Sequence, residues 1–319
     1  IKLRASTGYT GSQGFSTYAA VPTVNYYQSG YRGQLGSYLL GLANPDLAWQ
    51  KKYDNNLGID VTFLDGSLNG RFDWYVSTTK GTITNVTTPP STGFASYTAN
   101  LGEVENKGWE AYLNWRVWNE KASMSYVTLY VSASGNENTL KKVSNSLKSM
   151  NDVTDKDYDE KSENTSVPVR YEEGASMSTI WVVKSLGIDP ETGKEVFRKK
   201  DGSLTYDWDS RDYVDGGDTR PKVSGNFGIN AEWHGIGLNA GFTWRLGGQI
   251  YNTTLLNKVE NADVHKNVDR RVFTDRWNTP GQVARFKAIS DDSSTQPTSR
   301  FVEDYNLLTF SSLNVYYDF

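Results

Sequence analysis

Along most of this chain apolar and polar residues alternate with a period of two, and helical spacing is nearly absent. Val223, Gly225, Phe227, Ile229, Ala231 and Trp233 define one face of a segment whose other face is Ser224, Asn226, Gly228, Asn230 and Glu232. After a tight turn at His234-Gly235, the residues Ile236, Leu238, Ala240, Phe242, Trp244 and Leu246 repeat the apolar series against Gly237, Asn239, Gly241, Thr243 and Arg245. A second hairpin sets Leu57, Ile59, Val61 and Phe63 against Gly58, Asp60 and Thr62. It turns at Leu64-Asp65-Gly66-Ser67, where Asp-Gly supplies the positive φ that a hairpin needs. Leu68, Phe72, Trp74 and Val76 then return on the apolar side. A third hairpin has Trp109, Ala111, Leu113, Trp115 and Val117 against Glu110, Tyr112, Asn114 and Arg116. Its turn is expected at Asn119-Glu120-Lys121, with a return from Ala122 to Ser134. Single strands over Ile1–Tyr9 and Leu307–Phe319 bring the expectation to roughly eight strands.

The connections decide the architecture. Turns near residues 65, 120 and 235 are minimal, whereas the linkers at 10–50, 81–103, 136–221 and 250–305 are long, polar and rich in Gly, Ser, Thr and Asp. Short turns at one end and long loops at the other are the plan of an outer-membrane β-barrel; a soluble β-sandwich has moderate loops at both ends. Strands of this length suit a tilted crossing, which takes about 9–11 residues. Trp74, Trp115, Trp118, Trp233, Trp244 and Tyr317 fit an interfacial girdle. A basic residue on the lipid face costs about 2–4 kcal/mol at mid-depth. Alternation therefore turns Asp60, Arg71, Asp73, Glu110, Arg116, Glu232 and Arg245 toward a lumen, where they hydrate the wall and anchor a plug. Eight strands alone would close a barrel filled by its own side chains, too narrow for such loops. Free edges are intolerable in lipid, so further strands are expected outside this stretch, which opens on Ile1 without a start Met. The expected organisation is one partial barrel domain over 1–319, with large extracellular loops at 136–221 and 250–305. Turn signals at Asp189-Pro190-Glu191-Thr192-Gly193 and Asp201-Gly202 mark 167–221 as a folded unit.

Composition narrows the chemistry. With 33 Lys+Arg against 37 Asp+Glu the net charge is −4, which argues against a nucleic-acid binder and its concentrated basic face. There is no Cys, hence no disulfide or thiolate chemistry. The two His, His234 and His265, are too far apart in sequence for a His-built zinc site, and no cofactor is expected. Mean hydropathy is −0.59, and no apolar run of about 18 residues marks a membrane helix. Carboxylate pairs such as Glu172-Glu173 and Asp207/Asp209 occur, but no spacing singles out an acid and a base, so the chain is not expected to be an enzyme. Asp155-Lys156-Asp157-Tyr158-Asp159 imitates a calcium loop, yet Glu160 and Ser166 stand where that loop needs Gly and Glu. A solvated acidic stretch is expected there.

A set of short motifs then appears in order. Asn44-Pro45-Asp46-Leu47-Ala48-Trp49 precedes Asn56-Leu57-Gly58-Ile59-Asp60, Leu68-Asn69-Gly70-Arg71 and Asp73-Trp74-Tyr75. Pro89-Pro90, Thr92-Gly93-Phe94, Asn100-Leu101-Gly102-Glu103-Val104 and Asn106-Lys107-Gly108-Trp109-Glu110 follow. Further on come Leu186-Gly187-Ile188 with the Asp189–Gly193 turn, Gly216-Gly217-Asp218 and Asp275-Arg276-Trp277-Asn278-Thr279-Pro280-Gly281. Each is weak alone. Together they resemble the carboxy-terminal barrel half of SusC/RagA-type TonB-dependent transporters of Bacteroidetes outer membranes. That resemblance implies an all-β transmembrane barrel of about 22 strands with a plugged lumen, of which the plug, the first strands and the last strands fall outside this stretch.

The resemblance also implies TonB-dependent import of oligomeric nutrients, glycans or peptides, across the outer membrane. A SusD-like surface lipoprotein would serve as lid, and TonB would act through an amino-terminal region outside this chain. The other reading is a β-rich surface binding protein or adhesin without transport. Trp181, Tyr206 and Trp208 in the loops would contact cargo, contact a partner or form the core of the loop unit.

Overall fold

The computed structural model describes residues 1–27, 31–88, 92–100, 102–161, 163–263 and 265–318. Pro89, Pro90, Leu101 and Phe319 of the motifs and strands above lie outside the described residues. Eight long strands form one antiparallel sheet: β1 (Lys2–Ser12), β2 (Gln50–Phe63), β3 (Leu68–Lys80), β4 (Gly102–Glu120), β5 (Ser125–Val143), β6 (Val223–Trp233), β7 (Ile236–Tyr251) and β8 (Val302–Tyr317), each hydrogen-bonded to the next in chain order. Among the described residues β1 and β8 each keep one free edge. This is an open arc of a barrel wall. Both ends of the arc lie on the short-turn side: Lys2 is opposite Asp60, and Tyr317 is opposite Ile236.

The alternation stays in phase from strand to strand. Directly opposed residues run Leu3, Ile59, Phe72, Ala111, Ala133, Gly225, Trp244, Leu308 across the whole sheet. The adjacent row runs Arg4, Gly58, Asp73, Glu110, Ser134, Ser224, Arg245, Leu307. A slip of one residue in any pair would turn that strand's apolar set to the other face. The apolar face has no protein cover: Leu57 is 56% exposed and Leu308 65%. Phe227, Phe242 and Phe310 form a ring ladder along it, with centroids 5.0 and 5.1 Å apart. Such a surface is stable facing hydrocarbon. Trp115, Trp118, Trp233 and Tyr317 sit beside the short turns, while Trp74 and Trp244 lie farther along their strands. Among the described residues no helix is long and apolar enough to cross a membrane.

The turns follow the local chemistry. His234 and Gly235 take φ of 46° and 82°, the paired positive angles whose twist matches a hairpin. The third hairpin turns later than the alternation indicates. β4 runs to Glu120 and β5 begins at Ser125, because Val117 bulges out between the pairs Arg116–Thr128 and Trp118–Val127. The extra residue carries the strand past Asn119. β5 also continues to Val143, well into the stretch read as loop. Near its top the sign of the alternation inverts: Val104 and Leu140, on the otherwise polar face, are buried beneath loop residues Val86, Ala99 and Leu147.

The loops are folded. Helix α1 (Asn145–Glu160) was invisible to the period-two reading. Ser144 caps it, its hydroxyl accepting from the Leu147 N–H at 3.4 Å, and the buried helix residues are Leu147 and Asn151. A four-stranded sheet follows in the order Leu204–Thr205, Glu195–Arg198, Thr179–Ile188, Tyr213–Asp218. The segment 252–301 packs onto it. Ile180 and Val182 share one core with Leu256, Val259, Val272, Phe286 and Phe301, and the Val183 N–H donates to the Pro297 carbonyl at 3.1 Å. The two largest loops therefore make one subdomain above the sheet.

Candidate functional site

The polar face carries the first candidate surface. Arg4 on β1 reaches over β2 to β3. Its Nε and Nη2 each donate to Asp60 at 2.9 Å, and Nη2 also donates to Asp73 at 3.1 Å. Arg71 Nε donates to Asp73 at 2.6 Å. Gly58 makes this reach possible, since a Cβ there would stand 2.5 Å from Asp73 Oδ1 and 2.7 Å from the Arg4 guanidinium. Asp73 is thereby buried on the wall, 4% exposed. Asp60, Arg71 and Asp73 are thus brought together, by an arginine that alternation had not singled out although it sits at the polar phase of β1. Glu110 lies opposite Asp73 and exposed. Arg116 lies over the Tyr126 ring at 5.9 Å, Glu232 accepts from the Tyr316 hydroxyl at 3.3 Å, and Arg245 stands opposite Ser224. These four share the face but not the cluster.

Tyrosines smooth the same face. Tyr75, Tyr130 and Tyr316 each lie over a glycine of the neighbouring strand, Gly108, Gly228 and Gly237, where a Cβ would collide with the ring. Gly108 thus permits a close approach, and no bulge forms there. The Tyr75 hydroxyl donates to Asn136 Oδ1 at 3.1 Å, and Asn136 and Asn138 donate to Asn106 Oδ1 at 3.3 and 2.9 Å. Asn138 Oδ1 in turn accepts from the Met177 N–H at 3.1 Å. Flat phenols, carboxamides and hydroxyls therefore line the face up to the subdomain. This surface can hold water and hydrogen-bond a hydrophilic chain.

The loop aromatics divide by burial. Trp181 is core: it packs with Val183, Phe197 and Tyr213, and its indole N–H donates to the Arg170 carbonyl at 2.9 Å. Its ring faces are covered, so it has no surface for cargo. Trp208 donates to the Pro297 carbonyl at 3.0 Å and meets Tyr213 edge-on. Tyr206 keeps a half-exposed ring, its hydroxyl donating to Asp189 at 2.8 Å. Hydrogen bonds from Thr192 and Tyr206 hold the Asp189 carboxyl below the usual carboxylate range.

A buried charge cluster joins the two loops. Arg300 Nη2 donates to Glu195 and to Glu260, each at 2.6 Å, and the Thr298 hydroxyl donates to Glu195 at 2.6 Å. Burial alone would lower the Arg300 pKa, but the two carboxylates outweigh it and hold it above its ordinary value. Arg276 is buried against the carbonyls of Val259, Glu260, Lys287 and Ala288, and its burial lowers its pKa. Of these buried residues only Arg276 stands in a motif, Asp275-Arg276-Trp277; nothing in the sequence marks Glu195, Glu260 or Arg300.

Six other carboxylates singled out in the sequence have partners within the fold. The segment read as a solvated acidic stretch is the end of α1, where Asp155 pairs with Arg170, Asp157 with Lys161, and Asp159 accepts from Ser210. Glu172 pairs with Arg170, Glu173 accepts from the Val143 N–H, and Asp209 pairs with Arg211. Among the described residues no group of three or more His, Asp or Glu side chains forms a metal cage.

Comparison with known proteins gives a consistent result. The profile of the family described as TonB dependent receptor-like, beta-barrel matches residues 1–317. TonB-dependent receptor P3 of Formosa agariphila is 25% identical over 357 residues, covering 97% of this chain and 35% of that protein. TonB-dependent receptor SusC of Bacteroides thetaiotaomicron is 31% identical over 128 residues, 36% of this chain and 12% of that protein. In three dimensions the chain is similar to the solved RagAB peptide transporter, with a TM-score of 0.79, 20% sequence identity and coverage of 99% of this chain and 34% of that one. The chain spans about a third or less of the relatives it matches.

Proposed function

Because the chain belongs to the TonB-dependent receptor-like β-barrel family, we propose that it forms part of the barrel wall of an importer that carries oligomeric nutrients across the bacterial outer membrane. The observation that carries this reading is an alternation that stays in phase across eight paired strands, with bulges that interrupt single pairings locally. One face is apolar and uncovered, the other is polar, and a large folded subdomain stands above one end. Asp60, Arg71, Asp73, Glu110, Arg116, Glu232 and Arg245 belong to the lumen wall, where charge keeps the channel hydrated and meets a plug supplied by the rest of the protein. Transport involves no covalent step of this chain: cargo binds at the extracellular mouth, and energy from TonB rearranges the plug. A SusD-like lipoprotein covers the subdomain as a lid. The family and the similar RagAB peptide transporter support this plan, and cargo is a glycan or a peptide.

The test is extraction of the full-length protein from outer membranes in mild detergent, followed by mass spectrometry of the intact complex. A parent chain near three times this mass, carrying a lipoprotein and a bound oligomer, is the expected result. A chain recovered without detergent and without a partner would leave the surface-adhesin reading instead.

A further inference from the structure

β6 is short, with 11 residues between the 19 of β5 and the 16 of β7. Pairing of β5 with β6 stops at Ser134–Ser224, so a notch opens above it in the wall. The notch holds a cavity of about 620 Å³ lined in part by Trp74, Trp109, Lys107, Glu137, Arg220 and Lys222. Trp74 also borders a second hollow of about 650 Å³, formed by Leu3, Ala5, Leu57, Ile59 and Phe72 on the apolar face. Register places Trp74 opposite Trp109, with Lys107 two residues farther along the same face. A polar chamber thus lies beside an apolar trough that runs from Trp74 across β3, β2 and β1 toward the short turns, with an indole shared between them.

The charges in the chamber are unequal in their commitments. Asp218 accepts from the Ser178 hydroxyl at 2.6 Å and the Arg220 N–H at 2.8 Å, and Asp215 accepts from the Gly217 N–H at 2.8 Å. Lys107 is paired with Glu105 at 2.9 Å. Arg220 and Lys222 make no ion pair within 4 Å among the described residues, although, against burial, the Arg220 charge helps to hold the Asp218 carboxyl low. The exposed Glu137 is the one described carboxylate lining the chamber without such a donor. We propose that the notch binds the phosphorylated headgroup of an outer-leaflet lipid, with an acyl chain of that lipid in the trough below. Guanidinium and ammonium donors match phosphate oxygens, cations at a bilayer surface draw anionic lipid, and tryptophans mark the depth at which headgroup gives way to chain. A hydrophilic cargo would use the chamber and leave the trough empty. The inference rests on the outer-membrane placement of the sheet and is independent of what is imported.

The experiment uses the full-length transporter in nanodiscs of phosphatidylcholine, with and without phosphorylated lipid A, and native mass spectrometry of the lipid retained. Wild type is expected to retain lipid A selectively. Arg220→Ala with Lys222→Ala is expected to weaken retention roughly thirtyfold, from two surface cations, and Arg220→Lys with Lys222→Arg to restore it. Leu57→Asn, in the trough, is expected to weaken retention without changing binding of inorganic phosphate. Equal retention by wild type and the double alanine variant would overturn the proposal, as would equal retention of phosphatidylcholine and lipid A. Sensitivity to the charge variant alone, with inorganic phosphate as an equal competitor, would make this a site for free phosphate and would also overturn it. Heat-dependent mobility on gels checks that each variant is a folded barrel, and the lipid readout stands whether or not import is ever observed.

Discussion

Gly58 sets a charge arrangement by having no side chain. A methyl group there would displace the Arg4 guanidinium or the Asp73 carboxylate, and Asp73 is too buried to recruit water as a substitute. Gly58→Ala is expected to cost the full-length barrel about 2 kcal/mol in denaturant unfolding, the scale of a buried charge left short of partners; an unchanged midpoint would show that Arg4 is dispensable. Tyr130 acts by shape instead. Tyr130→Phe keeps the ring over Gly228 and is expected to be nearly neutral, while Tyr130→Ala uncovers the glycine and lowers stability by about 1–3 kcal/mol. In the loops, Arg300→Met strands two buried carboxylates and is expected to cost about 3–5 kcal/mol of subdomain stability. The loss is read as reduced protection of the subdomain from limited proteolysis. Adding Glu195→Gln and Glu260→Gln to Arg300→Met should recover much of the loss at neutral pH.

At the scale of elements, the eight wall strands were legible because a membrane wall imposes one rule on every strand: apolar on one side, polar on the other. The rule weakens where the environment changes. Above Gly135 the polar face is covered by loops and the other meets water, so Leu140 and Val104 took the phase that elsewhere belongs to polar residues, and the top of β5 read as linker. The subdomain strand Thr179–Ile188 contains the consecutive buried residues Ile180, Trp181, Val182 and Val183, which alternation cannot mark. Helix α1 buries Leu147 and Asn151 on an otherwise charged surface, too little for a helical period to emerge. Its start was written locally, in Ser144. Ser144→Ala is expected to remove about 1 kcal/mol from the helix, raising amide exchange over 145–160 while leaving the unfolding of the wall unchanged; a parallel loss in both would mean that loop and wall fold as one unit.

For the whole molecule, face and side follow from register, and register from the turns and the pleat. The charged residues of the candidate site were legible as a face. Their grouping was not, because it depends on Arg4 reaching across a strand from more than fifty positions away in sequence. The buried Glu195–Arg300–Glu260 cluster was invisible for the same reason: its members come from two different loops. The central claim is that the short turns and the folded loops lie on opposite sides of an outer membrane. These 319 residues hold no cysteine, so single cysteine substitutions among them, made in the full-length protein with any cysteine elsewhere replaced by serine, can be labelled on intact cells with a membrane-impermeant maleimide. Asp201→Cys, in the subdomain, should label, whereas Asp65→Cys and Lys121→Cys, in the turns, should label only after the membrane is opened. Equal labelling of Asp201→Cys and Asp65→Cys on intact cells would contradict the membrane-spanning wall.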